Sequence, residues 1–170
     1  MSAHSDDTIT IRPATRDDVP LALEFVRELA RYEHLEHEVS ASETEFREAL
    51  FGEHRYAEVV FACSAGEALG FALFFHNFST FKGRPGIYLE DLFVRPAARG
   101  KGIGKRLLAY LARIAVERRC ARLEWEVLDW NEPSIGFYRS LGAKAMDEWT
   151  TFRLTDEPLA LLAGSAAAKS

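Results

Sequence analysis

Cysteine is nearly absent. The 170 residues hold two, Cys63 and Cys120, with no CxxC pair and no Cys/His spacing of the kind that binds zinc. A disulfide scaffold and a structural zinc site are both excluded, and the two thiols are expected to be reduced and buried. Long apolar runs are also missing: stretches such as FALFF fall far short of the roughly 20 residues needed to cross a bilayer. The opening MSAHSDD is acidic and polar, with no signal-type apolar segment. The expectation is therefore a cytoplasmic protein that does not bind membranes. Among the histidines, His34 and His37 stand three apart, but no Glu-x-x-His partner pattern occurs for a second helix. His54 and His76 stand alone, and no metal is expected. With no linker, no repeat and 48% hydrophobic residues, the chain reads as one domain over 1–170, with a core at 8–155 and a frayed tail at 156–170.

Charge of each sign is absent from a different place. Net charge is −5, yet Leu92 to Val116 contains no acidic residue and six basic ones. Asp17 to Glu58 carries twelve acidic residues against four basic. The first region suits an anion and the second a cation. The overall acidity argues against a nucleic-acid partner.

Periodicity supplies the elements. TITIRP (8–13) alternates as a strand. Thr15 with Asp18 three residues later makes a capping-box variant, and Val19, Ala22, Leu23, Val26, Leu29 and Ala30 then mark one helix face. SETE (42–45) opens a short helix to about Phe51. AEVVFACS and ALGFALFFH form a hairpin about an Ala-Gly turn, and GIYLEDLFV (86–94) is a further strand. A helix runs from about Gly102 to Arg119, with Ile103, Leu107, Leu108, Leu111 and Ile114 inward. RLEWEVLDW (122–130) alternates again. In NEPSIGFYRSLG, Asn131 caps a helix, Pro133 sits in its first turn and Gly142 ends it. Residues 143–154 are expected to add one or two strands, and Trp125, Trp130 and Trp149 to pack in the core. The class is α/β with a mixed sheet.

Chemistry concentrates at RGKGIGK (99–105). A strand, a glycine-rich turn and a helix start together make an anion site: the first helical N–H groups lack partners and the helix dipole adds positive potential. Arg99, Lys101 and Lys105 add charge. A P-loop would need GxxxxGK followed by Ser or Thr, and a dinucleotide fingerprint would need GxGxxG; neither fits. What fits is Arg-x-x-Gly-x-Gly, at Arg99, Gly102 and Gly104. This resembles the pyrophosphate loop of the GNAT N-acetyltransferases, which use acetyl-CoA. ELARYEHLEHEV, FGEH, IYLEDLFV, RGKGIG and WNEPSIGFYRSLGA, in that order, resemble the diamine (spermidine/spermine) acetyltransferase branch. FSTFKGR and VLDWN are more similar to the branch that acetylates thialysine, S-(2-aminoethyl)cysteine.

The resemblance implies a splayed mixed sheet of six to seven strands with about four helices, and a homodimer. It implies that acetyl-CoA is held by Leu92, Phe93 and Val94, by Arg99, Gly100, Lys101, Gly102, Ile103, Gly104 and Lys105, and by Asn131, Ser134 and Tyr138. Tyr138 follows Ser134 by one helical turn, and its phenol, with an ordinary pKa near 10, suits the acid that protonates a departing thiolate. Glu90 and Asp91 interrupt an apolar strand and point to opposite faces; the resemblance makes Glu90 the residue that binds the acceptor ammonium and relays its proton. Tyr32 and Glu33 line the acceptor channel by the same resemblance. The expected activity is direct acetyl transfer, in a ternary complex, to a primary amine of a small cationic acceptor, thialysine-like or polyamine. A protein or peptide amine acceptor, or a non-catalytic acyl-CoA sensor, is the alternative.

Overall fold

The strand pattern of residues 58–79 closes on itself. Strand β2 (Glu58–Ser64) turns into β3 (Glu67–Ser79) through Ala65 and Gly66, both left-handed with φ of 48° and 84°. Two successive positive φ values match the right-handed twist of a hairpin. β1 (Thr10–Pro13) pairs with β2 on one side, and β4 (Arg84–Val94) pairs with β3 on the other, all antiparallel. β5 (Leu123–Trp125) then joins β4 in parallel. Helix α3 (Ile103–Glu117) supplies the crossover that a parallel connection requires. The computed structural model describes residues 8–167, so the polar opening MSAHSDD lies outside the described residues. The chain forms two compact units, one through Glu126 and one from Val127.

Strand alternation divides the first unit into two layers. Phe61, Cys63, Phe71, Leu73 and Phe93 share one cluster with Ala22, Phe25 and Leu29 of α1 (Val19–Tyr32) and Leu50 of α2 (Glu43–Phe51). Phe25 stacks on Phe71 at 5.1 Å between centroids. On the other face, α3 buries Ile103, Leu107, Leu108, Leu111 and Ile114. Each fully buried Leu or Phe is worth about 1.5–3 kcal/mol, against about 0–1 kcal/mol for a surface ion pair. Burial therefore holds this unit together.

The second unit holds α4 (Glu132–Ser140) and α5 (Asp156–Ala167). The structure corrects four expectations. RLEWEVLDW pairs only over Leu123–Trp125, and none of the described residues of 143–154 is a strand. The sheet thus has five strands, not six to seven, beside five α-helices, not four. Alternation makes a segment able to pair, but a ladder also needs a free edge in register, and that is a non-local condition. Of the tail read as frayed, Asp156–Ala167 is helical, with Asp156 and Glu157 in its first turn favouring the positive end of the helix dipole; residues 168–170 lie outside the described residues. Trp130 and Trp149 are exposed and Trp125 half-buried, so the tryptophans do not form a core.

Asp18 ties the start of α1 to the sheet. Its carboxylate accepts from the Thr15 backbone N–H at 2.7 Å and the Thr15 hydroxyl at 2.8 Å. It also takes both Arg12 guanidinium nitrogens at 2.8 Å, while Arg12 lies over the Phe61 ring. The Arg12 hydrogen bonds hold the Asp18 carboxyl well below the usual carboxylate range, against the opposing effect of burial. A lowered folded-state pKa adds stability that is present above the unfolded value, near 3.9, and is lost as pH falls through the folded value. Asp18→Asn should lower stability at pH 7 by about 1 kcal/mol, the worth of a helix cap, and no more, since Arg12 is open to solvent. The offset between denaturant melts of the two proteins should begin to shrink as pH falls below about 4 and be mostly gone by about pH 2; a constant offset down to pH 2 would show that the carboxylate charge is not the cause.

Candidate active site

The glycine-rich turn forms as its composition requires. After β4 the chain makes a short 3-10 turn at Pro96–Ala98. Gly100 and Gly102 then take left-handed φ values of 78° and 75°, where a side chain is strained. Gly102 is the N-cap of α3, and the first helical hydrogen bond runs from Arg106 N–H to its carbonyl at 3.1 Å. The N–H groups of Ile103, Gly104 and Lys105 precede that bond and have no partner within the helix. Ile103 turns its side chain into the core, so only its backbone is available. Lys101 and Lys105 are exposed, and no acidic residue stands in the first turn of α3. The turn is suited to a diphosphate.

β4 carries the acidic pair across a register break. Leu89 faces Phe74 and Asp91 faces Leu73, leaving Glu90 unmatched in a β-bulge. The bulge reverses the alternation. Leu89 follows the α3-facing parity of Phe74, whereas Asp91 and Phe93 follow the α1-facing parity of Leu73 and Phe71. Asp91 is half-buried, and Glu90 is exposed. Burial, followed by the charges of Glu90 and Glu33, pushes the Asp91 carboxyl up to about 7. Burial also raises Glu33. Three carboxylates thus share one region of mutual repulsion, which a cation would relieve. Ladder pairing between β4 and β5 stops at Leu89–Trp125, so the backbone of Leu92, Phe93 and Val94 has no β5 partner along that edge.

Tyr32 and Glu33 stand where α1 ends. The Tyr32 ring lies 6.3 Å from that of Phe93. The Arg99 guanidinium sits over both, at 4.8 Å and 5.4 Å from their centroids, and its Nε donates to the Val94 carbonyl at 3.0 Å. Tyr32, Phe93 and Arg99 line a groove of about 470 Å³ with Glu24, Glu28, Arg31 and Pro96. Arg95, read from sequence only as part of a basic run, is a clamp. It bonds Glu28 at 2.8 Å, Glu24 at 2.5 Å and the Ala68 carbonyl at 3.1 Å, and it lies over Phe25 at 4.5 Å. Lys82 and Arg84 lie at or beside the start of β4. Arg84 and Asp91 stand seven positions apart, about 23 Å of extended strand, so these two cations do not reach the acid group of their own chain.

In the second unit, Asn131 is buried and caps α4, its side-chain oxygen accepting from Ser134 N–H at 3.4 Å. Ser134 and Tyr138 are half-buried along that helix, and the Tyr138 ring packs on Phe137 at 5.4 Å. No group of three or more His, Cys, Asp or Glu able to hold a metal occurs among the described residues. None of the described helices is long and apolar enough to span a membrane.

Comparison with known proteins gives the family. The Acetyltransferase (GNAT) family matches residues 23–143, across both units. The thialysine N-epsilon-acetyltransferase of Bos taurus is 37% identical over 92% of this chain and 98% of its own length. The spermidine/spermine N(1)-acetyltransferase-like protein 1 of Homo sapiens is 30% identical over 94% of this chain, though over only 24% of its own length. Among solved structures, an integron cassette protein from V. cholerae superposes with a TM-score of 0.77 at 32% identity, covering 91% of this chain and 97% of that one. A glycine turn at a helix start, an unpaired strand edge beside carboxylates and this breadth of similarity have one reading: the chain is an N-acetyltransferase and belongs to the GNAT family.

Proposed function

We propose that the enzyme moves acetyl from acetyl-CoA directly to the terminal amine of a small cationic acceptor with both bound, a thialysine-like amino acid in preference to a polyamine. The observation that carries this reading is the Glu33–Glu90–Asp91 acid group on and beside β4, next to the unpaired edge at Leu92–Val94. The left-handed Gly100–Gly102 turn and the basic side chains of Arg99, Lys101 and Lys105 fit a diphosphate donor. Acetyl-CoA would supply the thioester carbonyl that the amine attacks. Donors along Leu92–Val94 would stabilise the charge that develops on the carbonyl oxygen. By resemblance, Asn131 and Ser134 would also contact acetyl-CoA.

Proton traffic follows from ordinary acidities. A primary amine with a pKa near 10.4 is only about 0.1% neutral at pH 7.5. Carboxylates that capture its ammonium also stabilise the charged form, so a proton exit is needed. Asp91 meets the cation on the α1 side, and Glu90, exposed at the bulge, passes the proton to water. Tyr138 donates the proton taken up by the departing thiolate. The thialysine preference is supported by FSTFKGR and VLDWN and by the similarity to a relative with that name. Resemblance also supports a homodimer, and length and composition support a single cytoplasmic domain.

The test is CoA release with acetyl-CoA and a panel of thialysine, spermidine and lysine peptides. Thialysine should show the highest kcat/KM. A clear preference for spermidine refutes the amino-acid assignment, peptide turnover alone makes this a protein acetyltransferase, and no release with any acceptor supports a sensor.

Asp91, held near 7, is charged only above that pH, so kcat/KM for the acceptor should rise with pH through about 7. Asp91→Asn should raise the acceptor KM roughly tenfold by removing a charge-assisted contact and abolish that limb. A limb that survives unchanged in the variant assigns it to another group.

Tyr138→Phe should cut kcat by about 10²–10⁴ while leaving KM nearly unchanged, since a proton donor acts in the transition state. Near-parental kcat at neutral pH would remove Tyr138 from the mechanism.

A further inference from the structure

Three guanidinium groups and three carboxylates stand in or near the groove beside the end of α1, and their pairing leaves one cation over. Arg95 takes Glu24 and Glu28. Arg31 takes Glu36 at 2.9 Å. Arg99 alone among these three arginines has no carboxylate within ion-pair distance among the described residues; its hydrogen bond goes to the Val94 carbonyl. It is also the first residue of the Arg-x-x-Gly-x-Gly turn. An exposed arginine at the end of a turn ordinarily samples many rotamers, and ordering it on binding lowers affinity. Here three contacts order it in advance: the Tyr32 face, the Phe93 ring and the Val94 carbonyl. Phe93 is buried and cannot move away. Tyr32 comes from α1, at the acceptor end of this unit.

We propose that Tyr32 is a positioning residue for the donor: by stacking under Arg99 it holds the guanidinium that the neighbouring carboxylates leave unpaired ready for the diphosphate of CoA, so that the end of α1 helps set donor affinity. The inference rests on the donor assignment made above for the glycine turn. The phenolic hydroxyl has no part in it; only the ring face matters, because the attraction is between a cation and the ring quadrupole. Lysine would not replace Arg99 fully, since it lacks both the planar stacking surface and the Nε donor. A Val94 carbonyl that already accepts from Arg99 keeps a second lone pair for the donor arm.

The test is calorimetric binding of CoA, without acetyl group or acceptor, to the parent, Tyr32→Phe, Tyr32→Leu, Arg99→Lys, Arg99→Met and the double variant Tyr32→Leu/Arg99→Met. Tyr32→Phe should match the parent. Tyr32→Leu should weaken binding about two- to fivefold, the worth of an exposed cation–π contact, and Arg99→Met about tenfold or more. In the Arg99→Met background, Tyr32→Leu should have no further effect, a non-additivity that a general loosening of the fold would not produce. Arg99 is exposed, so Arg99→Lys folds regardless and should fall between the parent and Arg99→Met. Parental CoA affinity in Tyr32→Leu, or the same loss with and without Arg99, overturns the positioning role while leaving the donor site intact. Failure of the parent to bind CoA overturns the donor assignment itself, and the inference with it.

Discussion

The register break at Glu90 is the constraint on which the first unit depends. β4 must satisfy β3 along its whole length, β5 for three residues only, and a helix layer on each face. A regular strand would place Leu89, Asp91 and Phe93 on one face. One inserted residue sends Leu89 toward α3 and Asp91 and Phe93 toward α1, so an apolar side chain and a carboxylate two residues apart each reach the layer that suits them. A bulge also bends its strand and raises local twist, next to the point where the β5 ladder ends.

From that break follows the electrostatic division of the site. The α1 side gathers Glu33, raised by burial, and Asp91, raised by burial and by the charges of Glu90 and Glu33, a pair suited to a cation. The turn after β4 presents helix N–H groups, lysines and Arg99, suited to an anion. The two lie close in sequence along one strand and its exit, and Arg95 keeps them in place. Its four-partner clamp across α1, β3 and Phe25 consumes the negative charge of Glu24 and Glu28, so those carboxylates do not compete for Arg99.

The features legible in the chain are those set by local chemistry. Helix α3 and its inward residues were visible because a helix face repeats locally every three to four residues. The hairpin at Ala65–Gly66, the capping box at Ser42–Glu45, with Ser42 Oγ accepting Glu45 N–H at 3.3 Å, and the α4 cap at Asn131 are likewise local hydrogen-bond chemistry. The Arg-x-x-Gly-x-Gly turn was readable because left-handed backbone at Gly100 and Gly102 leaves few residue types open. Strand count was not readable: residues 126–130 and 143–154 have the alternation of strands but no ladder, and alternation does not say whether an edge is free. Nor was the exposure of Trp130 and Trp149, since a large apolar residue is buried only if something packs over it.

By itself, then, the sequence determined the local elements, the family and the chemical character of each segment: acid before residue 58, base after 92, and glycine where an anion is to be met. Tertiary structure alone decided which of two adjacent carboxylates turns inward. Glu90 and Asp91 are equivalent in composition, and resemblance favoured Glu90 as the ammonium-binding residue. The structure gives the half-buried position, and the pKa raised to about 7, to Asp91. The reason is physical: which face a strand residue takes depends on the register of its partner strand, and a bulge is a mismatch between two segments that neither contains alone.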